Sequence, residues 1–239
     1  MSTYVYGIAR ASQSLPQTID GIGEPPLPVR TVQAGQLVAL VSDAPTELKP
    51  KRRDLLAHQR VVIQAQAAGP VLPMRFGGVS PDDQSVGEIL SEHHDAYLER
   101  LNALTGRDEF NVKANHDEEA VLFAVLAADP QLRARHAANR AAGGGSHEDK
   151  LVFGELVARA VSARERADAA LIEEALTPFT EGVRHGPESA GWLANLSFLV
   201  DRDRRADFLA AVRALHEEHE HLLIQATGPL PPYSFADAG

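Results

Sequence analysis

Trp192-Leu193-Ala194-Asn195-Leu196-Ser197-Phe198-Leu199-Val200 places Trp192, Ala194, Leu196, Phe198 and Val200 at every second position. A period of two is the pattern of a strand with one buried face. Upstream, Thr180 to His185 reads as a shorter strand. Downstream, Phe208, Leu209, Val212 and Leu215 recur at helical spacing and predict a helix from Asp203 to about Glu220; Leu222 to Ala226 follows as a closing strand. Further upstream, Phe110, Val112 and Ala114 alternate with Asn111, Lys113 and Asn115, a half-buried strand. Asp117 can cap a helix through Ala128, which Pro130 interrupts or restarts. Gly143-Gly144-Gly145 is a flexible break. Ser146, with Asp149 three residues on, opens a long charged helix to about Leu176 whose apolar stripe includes Leu156, Val157, Ala160 and Val161. The second half therefore reads β-α-β-β-α-β, the split βαβ or ferredoxin-like order. From it we expect two parallel central strands with antiparallel neighbours, and one sheet face under two helices.

The first half begins with an aromatic and β-branched strand, Tyr4 to Ala9, followed by a Gly- and Pro-rich loop from Pro16 to Pro28. Val29–Gln33 and Gln36–Val41 flank Ala34-Gly35 as a β-hairpin. A helix is expected from about Pro50 to Ala68, with Leu55, Leu56, Val62 and Ile63 on its apolar face and Gly69-Pro70 ending it. Val71 to Phe76 reads as a short strand that Pro73 confines to an edge or makes irregular. A second helix follows from about Asp83 to Leu104, carrying Val86, Ile89, Leu90, Tyr97, Leu101 and Leu104. The order β-β-β-α-β-α is a variant of the same layout. We expect an α+β chain of two domains, 1–106 and 107–239, with an extended Pro-rich tail from Gly228 to Phe235.

Composition narrows the function. The chain has 239 residues, 44% of them hydrophobic, which is enough for two small cores. A net charge of −10 argues against nucleic acid as a partner, because phosphate binding needs clustered Lys and Arg. The one compact basic run, Lys49-Pro50-Lys51-Arg52-Arg53, reads as the solvated start of a helix. With no cysteine, disulfides and thiolate metal sites are excluded, and a reducing cytoplasm is expected. The N-terminus lacks the pattern of a signal peptide, and no apolar run approaches the ~20 residues that span a bilayer, so no membrane association is expected.

No catalytic constellation stands out. Gly143-Gly144-Gly145-Ser146 follows a helix and lacks the Lys-Ser/Thr of a phosphate loop. In His216-Glu217-Glu218-His219-Glu220-His221 the spacing is not that of a zinc protease; His216 and His219 could share a helix face, but a solvated helix end is the expectation. His93 falls on the side of Leu90 and Tyr97 and reads as a half-buried structural residue. No Gly-x-Ser-x-Gly elbow and no carboxylate dyad is present. We expect no catalytic residue, cofactor or required metal.

Three segments carry a resemblance. Tyr4-Val5-Tyr6-Gly7-Ile8 looks like the opening strand of the gas vesicle protein F/L family. Val71-Leu72-Pro73-Met74-Arg75-Phe76-Gly77 resembles that family's Pro-x-Arg-Phe-Gly motif. Gly228-Pro229-Leu230-Pro231-Pro232-Tyr233-Ser234-Phe235 resembles its C-terminal Gly-Pro-x-Pro-Pro-Tyr-Ser-Phe signature. The resemblance implies two modified ferredoxin-like domains and a non-enzymatic role in gas vesicle assembly. It also implies contact with the small hydrophobic major shell protein and other accessory gas vesicle proteins, retention as a minor vesicle component being one option. Cytoplasm and gas vesicle are the expected locations. For Arg75 and Phe76, fold stability stands beside partner contact; for Tyr233 and Phe235, a clasp onto the body stands beside partner docking. The alternative function is a small-molecule-binding regulatory module, since ferredoxin-like sheets often host ligands.

Overall fold

β1 (Thr3–Arg10) forms the centre of the first sheet in the computed structural model, which describes residues 2–16, 18–141, 143–144, 146–187 and 191–236. The third glycine of the Gly143–Gly145 break lies outside the described residues. β2 (Arg30–Ala34) and β3 (Leu37–Asp43) are the predicted hairpin, with Gly35 at φ 58° in its two-residue turn. The sheet order is β2-β3-β1-β4, where β4 is Val71–Pro73; β5 (Val79–Ser80) also pairs with β1, and every one of these pairings is antiparallel. β3 leaves a tight hairpin, so it runs opposite to β2, and β1 lies antiparallel along its other side.

A bulge decides which side chains β1 sends to each face. The β1–β3 register shifts between Val5 and Gly7. Tyr4 and Tyr6 pack with Val38 and Leu40, whereas Ile8 packs with Leu37, Ala39 and Val41. Without the extra residue Ile8 would share the tyrosines' face. Gly7 suits the site because a Cβ there would stand 2.9 Å from the Leu72 carbonyl oxygen.

Both faces of this sheet are covered, not one. α1 (Arg52–Ala68) contributes Ala57, Val61, Val62 and Ala65 to one core. α2 (Asp83–Glu92) and α3 (His94–Ala103) contribute Val86, Leu90 and Leu101 to the other. Coverage on both sides explains why six successive β3 residues, Leu37 to Ser42, are buried. Two further expectations change. The buried side of α1 is Asp54, Ala57, His58, Val61, Val62 and Ala65, so Leu55, Leu56 and Ile63 face outward. The tyrosines of β1 fill the space beneath the helix, which leaves room mainly for small residues. The helix predicted from Asp83 to Leu104 breaks at His93 (φ −104°, ψ 19°), and His93 is exposed rather than half-buried.

The second sheet has the order β7-β8-β6-β9 and is also antiparallel, so the parallel central pair expected for the second half is corrected: β8 turns back from β7 and lies between it and β6, opposite in direction to both. Its strands are β6 (Arg107–His116), β7 (Gly182–His185), β8 (Ala194–Asp201) and β9 (Leu222–Leu230). Its helices are α4 (Glu118–Ala128), α5 (Pro130–Ala141), α6 (His147–Leu176) and α7 (Arg205–Glu218). Asp117 caps α4 by accepting from the Ala120 amide, and Ser146 with Asp149 forms a reciprocal capping box at α6. Trp192 precedes β8 rather than joining it. Phe198 and Phe208 pack at 5.5 Å between ring centroids.

Two compact units result. One comprises Met1–Phe110, Leu199–Arg202 and Gly228–Gly239; the other comprises Asn111–Phe198 and Asp203–Thr227. The sequence reading assigned the tail to the domain 107–239, whereas the structure groups Gly228–Gly239 with the N-terminal residues. The tail is also less uniform than an extended segment. β9 runs through Leu230, and Tyr233–Phe235 closes into a 3-10 turn.

Candidate functional site: the motif cluster around His58

The three motif segments meet at one buried imidazole. β1 supplies Tyr4 and Tyr6, α1 supplies His58, the turn after β4 supplies Met74 to Gly77, and the tail supplies Tyr233. The His58 ring lies 5.7 Å from Tyr4, 5.5 Å from Tyr6, 5.9 Å from Phe76 and 6.5 Å from Tyr233, centroid to centroid. Its Nε2 stands 2.9 Å from the Met74 carbonyl oxygen, which can only accept, so Nε2 carries the proton. Nδ1 is then the acceptor for the Tyr4 hydroxyl at 2.8 Å, and that hydroxyl accepts from the Gly77 amide at 3.2 Å. The turn holding Arg75 and Phe76 is thereby tied at both ends to the Tyr4–His58 pair. Phe76 is half-buried against the rings and Arg75 is exposed.

Electrostatics agree with a neutral, closed cluster. Burial lowers the His58 pKa, and the Met74 hydrogen bond opposes it only in part. Burial likewise raises the hydroxyl pKa of Tyr4 and Tyr6, and pushes that of Tyr233 to about 12. Tyr6 donates to Ser42 Oγ at 2.9 Å and accepts from the Ile22 amide at 2.9 Å. Tyr4, Tyr6 and His58 each have internal hydrogen-bond partners, so the cluster is built to fix the segments in place.

The tail is fastened at three further points. Gly228 passes so close to Phe110 that a Cβ would stand 2.5 Å from Cδ1 of the ring. Ser234 donates its amide to Glu109 Oε2 at 2.8 Å and its hydroxyl to Oε1 at 2.7 Å, satisfying a buried carboxylate. Phe235 is buried in the cluster of Leu37, Leu72, Leu90 and Leu101. Tyr233 and Phe235 thus reach the two opposite cores of the first sheet.

The second unit holds a cluster that the sequence reading missed. His116 ends β6, Asp168 lies on α6, and His221 precedes β9. Each imidazole Nε2 is 2.9 Å from Asp168 Oδ2. Arg164 donates Nε to both Asp168 oxygens, at 3.0 and 2.8 Å. Burial, the largest influence, raises the Asp168 pKa, but the hydrogen bonds from Arg164, His116 and His221 outweigh it and the net shift is downward. Sequence reasoning grouped His216 with His219. In the fold, His216 Nδ1 instead bonds the Leu222 carbonyl at 2.9 Å, and His221 joins partners more than fifty residues away. No local spacing could have signalled that.

Comparison with known proteins gives a consistent picture. A family model described as gas vesicle synthesis protein GvpL/GvpF matches residues 2–237. The chain is 60% identical over 238 residues to gas vesicle protein F of Streptomyces sp. (strain CB03234), covering 99% of this chain and 100% of that one. It is 25% identical over 252 residues to gas vesicle protein L1 of Halobacterium salinarum, covering 98% and 89%. Its fold resembles the crystal structure of the gas vesicle protein GvpF from Anabaena sp. PCC7120, with a TM-score of 0.81, 26% identity and coverage of 100% and 99%.

Proposed function

We propose, from the premise that the chain belongs to the gas vesicle synthesis protein GvpL/GvpF family, that it assists shell assembly by holding the small hydrophobic shell protein before addition to the wall. It does so without catalysis, at the cytoplasmic site of vesicle growth and alongside other accessory gas vesicle proteins. Subunits of a gas-facing wall expose apolar surface before they are incorporated, and such surface aggregates in water unless a partner covers it.

One observation carries this reading. α1 turns Leu55, Leu56 and Ile63 outward at 41%, 53% and 48% exposure. Leu56, Gln59, Arg60 and Ile63 follow one another at the spacing of a single helix face, and with Arg53 they line a shallow groove. The opposite face of α1 holds His58, so the motif cluster fixes the platform that presents this surface. No helix among the described residues is long and apolar enough to cross a membrane, in keeping with apolar surface meant for a protein partner. The shared strand order of the two sheets supports reading both as modified ferredoxin-like folds, the first lacking a helix between its first two strands.

The alternative of a small-molecule-binding regulatory module rests on a cavity of about 200 Å³ lined by Val5, Ile8, Met74, Val86, Leu90 and Tyr97. That cavity is below the roughly 300–1,000 Å³ of ordinary ligand pockets, and the larger pocket of about 900 Å³ beside His116 is lined by Asn115, Glu118, Glu165 and Arg166 as well as apolar residues rather than by a predominantly apolar wall, so this reading ranks second. The test is to replace Leu56 and Ile63 by Glu in a vesicle-forming host. The folded variant should lose co-purification with shell protein, and vesicle yield should fall as it does on gene deletion. Normal vesicles in the variant would reject the α1 surface; normal vesicles in a deletion strain with no second F/L-type gene would reject the assembly role.

A further inference from the structure

We propose that His116, Asp168 and His221 form a binding site for a divalent transition-metal ion, with zinc the best chemical match. The three ligand atoms lie within 4.8 Å of one another and come from the end of β6, from α6 and from the turn before β9, segments far apart in the chain that the fold brings together. The Asp117 amide donates to the His221 carbonyl at 2.9 Å, which holds the two histidine-bearing segments side by side. The side chains are secluded, at 2% exposure for Asp168, 7% for His116 and 11% for His221.

Hydrogen-bond accounting at His221 points the same way. Its Nε2 is 2.9 Å from Asp168 Oδ2 and also 2.9 Å from Arg164 Nη2. A protonated Nε2 can donate to the carboxylate but then faces the guanidinium N–H donor to donor. A bare Nε2 can accept from Arg164 but then sets its lone pair beside the carboxylate oxygen. Either state leaves one short contact uncompensated. A cation between Nε2 of both rings and Oδ2 would satisfy all three atoms, because every one of them offers a lone pair.

The donor set selects the metal class. Two imidazoles and one carboxylate suit zinc and also iron(II), whereas calcium and magnesium prefer all-oxygen sites and copper(I) prefers sulfur. Tetrahedral bonds of about 2.0–2.1 Å require ligand atoms roughly 3.3 Å apart, so the 2.9 Å contacts need to open by only a few tenths of an ångström. His116 also lines a pocket of about 900 Å³ together with Glu118 and Glu165, so one ligand of the cluster borders open space. Arg164 is the competitor. Its guanidinium neutralises Asp168 in the metal-free protein, and its side chain is one-third exposed, so solvent can receive it when a cation takes its place.

That competition gives the proposal a distinctive test. The full chain, stripped with a chelator, is titrated with Co²⁺ while visible d–d absorption is followed, and with Zn²⁺ against a colorimetric chelator. One equivalent should bind with a tetrahedral cobalt spectrum. His116→Ala and His221→Ala should weaken binding at least tenfold, while His216→Ala and His219→Ala leave it unchanged. Arg164→Gln should bind more tightly than the wild type, the reverse of what loss of a purely structural ion pair would do. Absence of saturable one-to-one binding overturns the proposal, as does binding that follows His216 and His219, or an Arg164→Gln variant that binds no tighter. If a histidine variant fails to fold, the wild-type spectrum still decides: cobalt without imidazole coordination rejects the site.

Discussion

Cutting the chain after Leu230 leaves β9 whole and removes only Tyr233, Ser234, Phe235 and their neighbours, which makes it a clean probe of the tail. Phe235 is buried among Leu37, Leu72, Leu90 and Leu101, and large-to-small loss of such a ring costs about 3–5 kcal/mol. Glu109 would keep its buried position but lose both hydrogen bonds from Ser234, a further cost of about 1–3 kcal/mol. These groups are neighbours, so the terms do not simply add. We expect a loss of about 5 kcal/mol, a large part of the roughly 5–15 kcal/mol of net stability in an ordinary domain. At about 2–4 °C per kcal/mol for a chain of this size, the melting temperature should fall by roughly 10–20 °C. Differential scanning calorimetry of the truncated and full chains measures it, with Phe235→Ala as the intermediate case. A truncated protein that melts within about 2 °C of the full chain but no longer binds shell protein would refute the clasp and make the tail a docking element.

Two further outcomes follow from the same unit. Because burial lowers the folded-state pKa of His58 below that of the unfolded chain, the unfolded state takes up the proton first. Its contribution is present above about pH 6.5 and is lost as pH falls toward the folded value, whereas the depressed carboxyls Asp83 and Asp168 lose theirs only below about pH 4. Urea midpoints should therefore drop between pH 7.5 and 5.5, and His58→Gln should be weaker at pH 7.5 with a flatter slope; an unchanged slope would reject the assignment. Gly228→Ala forces a methyl group against the Phe110 ring and should cost about 1–3 kcal/mol by chemical denaturation, whereas Gly154→Ala, on helix α6 where a Cβ meets nothing within 4 Å, carries no such clash.

Local signals were legible where one segment decides its own fate. The alternation in Phe110, Val112 and Ala114, the capping pair Ser146 and Asp149, and the hairpin around Gly35 need no tertiary context, and each appears in the structure. The inward side of α1 was not legible, because Leu55, Leu56 and Ile63 are more apolar than Ala57, Ala65 and His58. What turns the helix over is the bulk of Tyr4 and Tyr6 across from it, which helix periodicity alone does not record. Nor does the bulge at Val5 and Gly7 show in the apolar pattern of β1, since both of its faces are buried and alternation vanishes. At the motif cluster, the sequence singled out Phe76, Tyr233 and Phe235 but passed over His58, a lone histidine inside a helix with no neighbour in the chain to mark it. His116 is likewise isolated in the chain, and His221 stands beside His219 and His216 while its partners His116 and Asp168 lie more than fifty residues away.

The fastening of the tail sets a timetable for biosynthesis. The first unit needs Gly228 to Phe235 to complete its cores, yet residues 111–227 must be translated in between. At elongation rates of roughly 5–20 residues per second, the nascent N-terminal sheet waits on the order of ten seconds without Tyr233 and Phe235. During that interval Glu109 has no Ser234 to bond it, and the core around Leu72 and Leu90 lacks its last ring. A ribosome stalled within that stretch would hold a sheet open on the side that Phe235 later seals, making this the stage of synthesis at which a holding chaperone has most to cover.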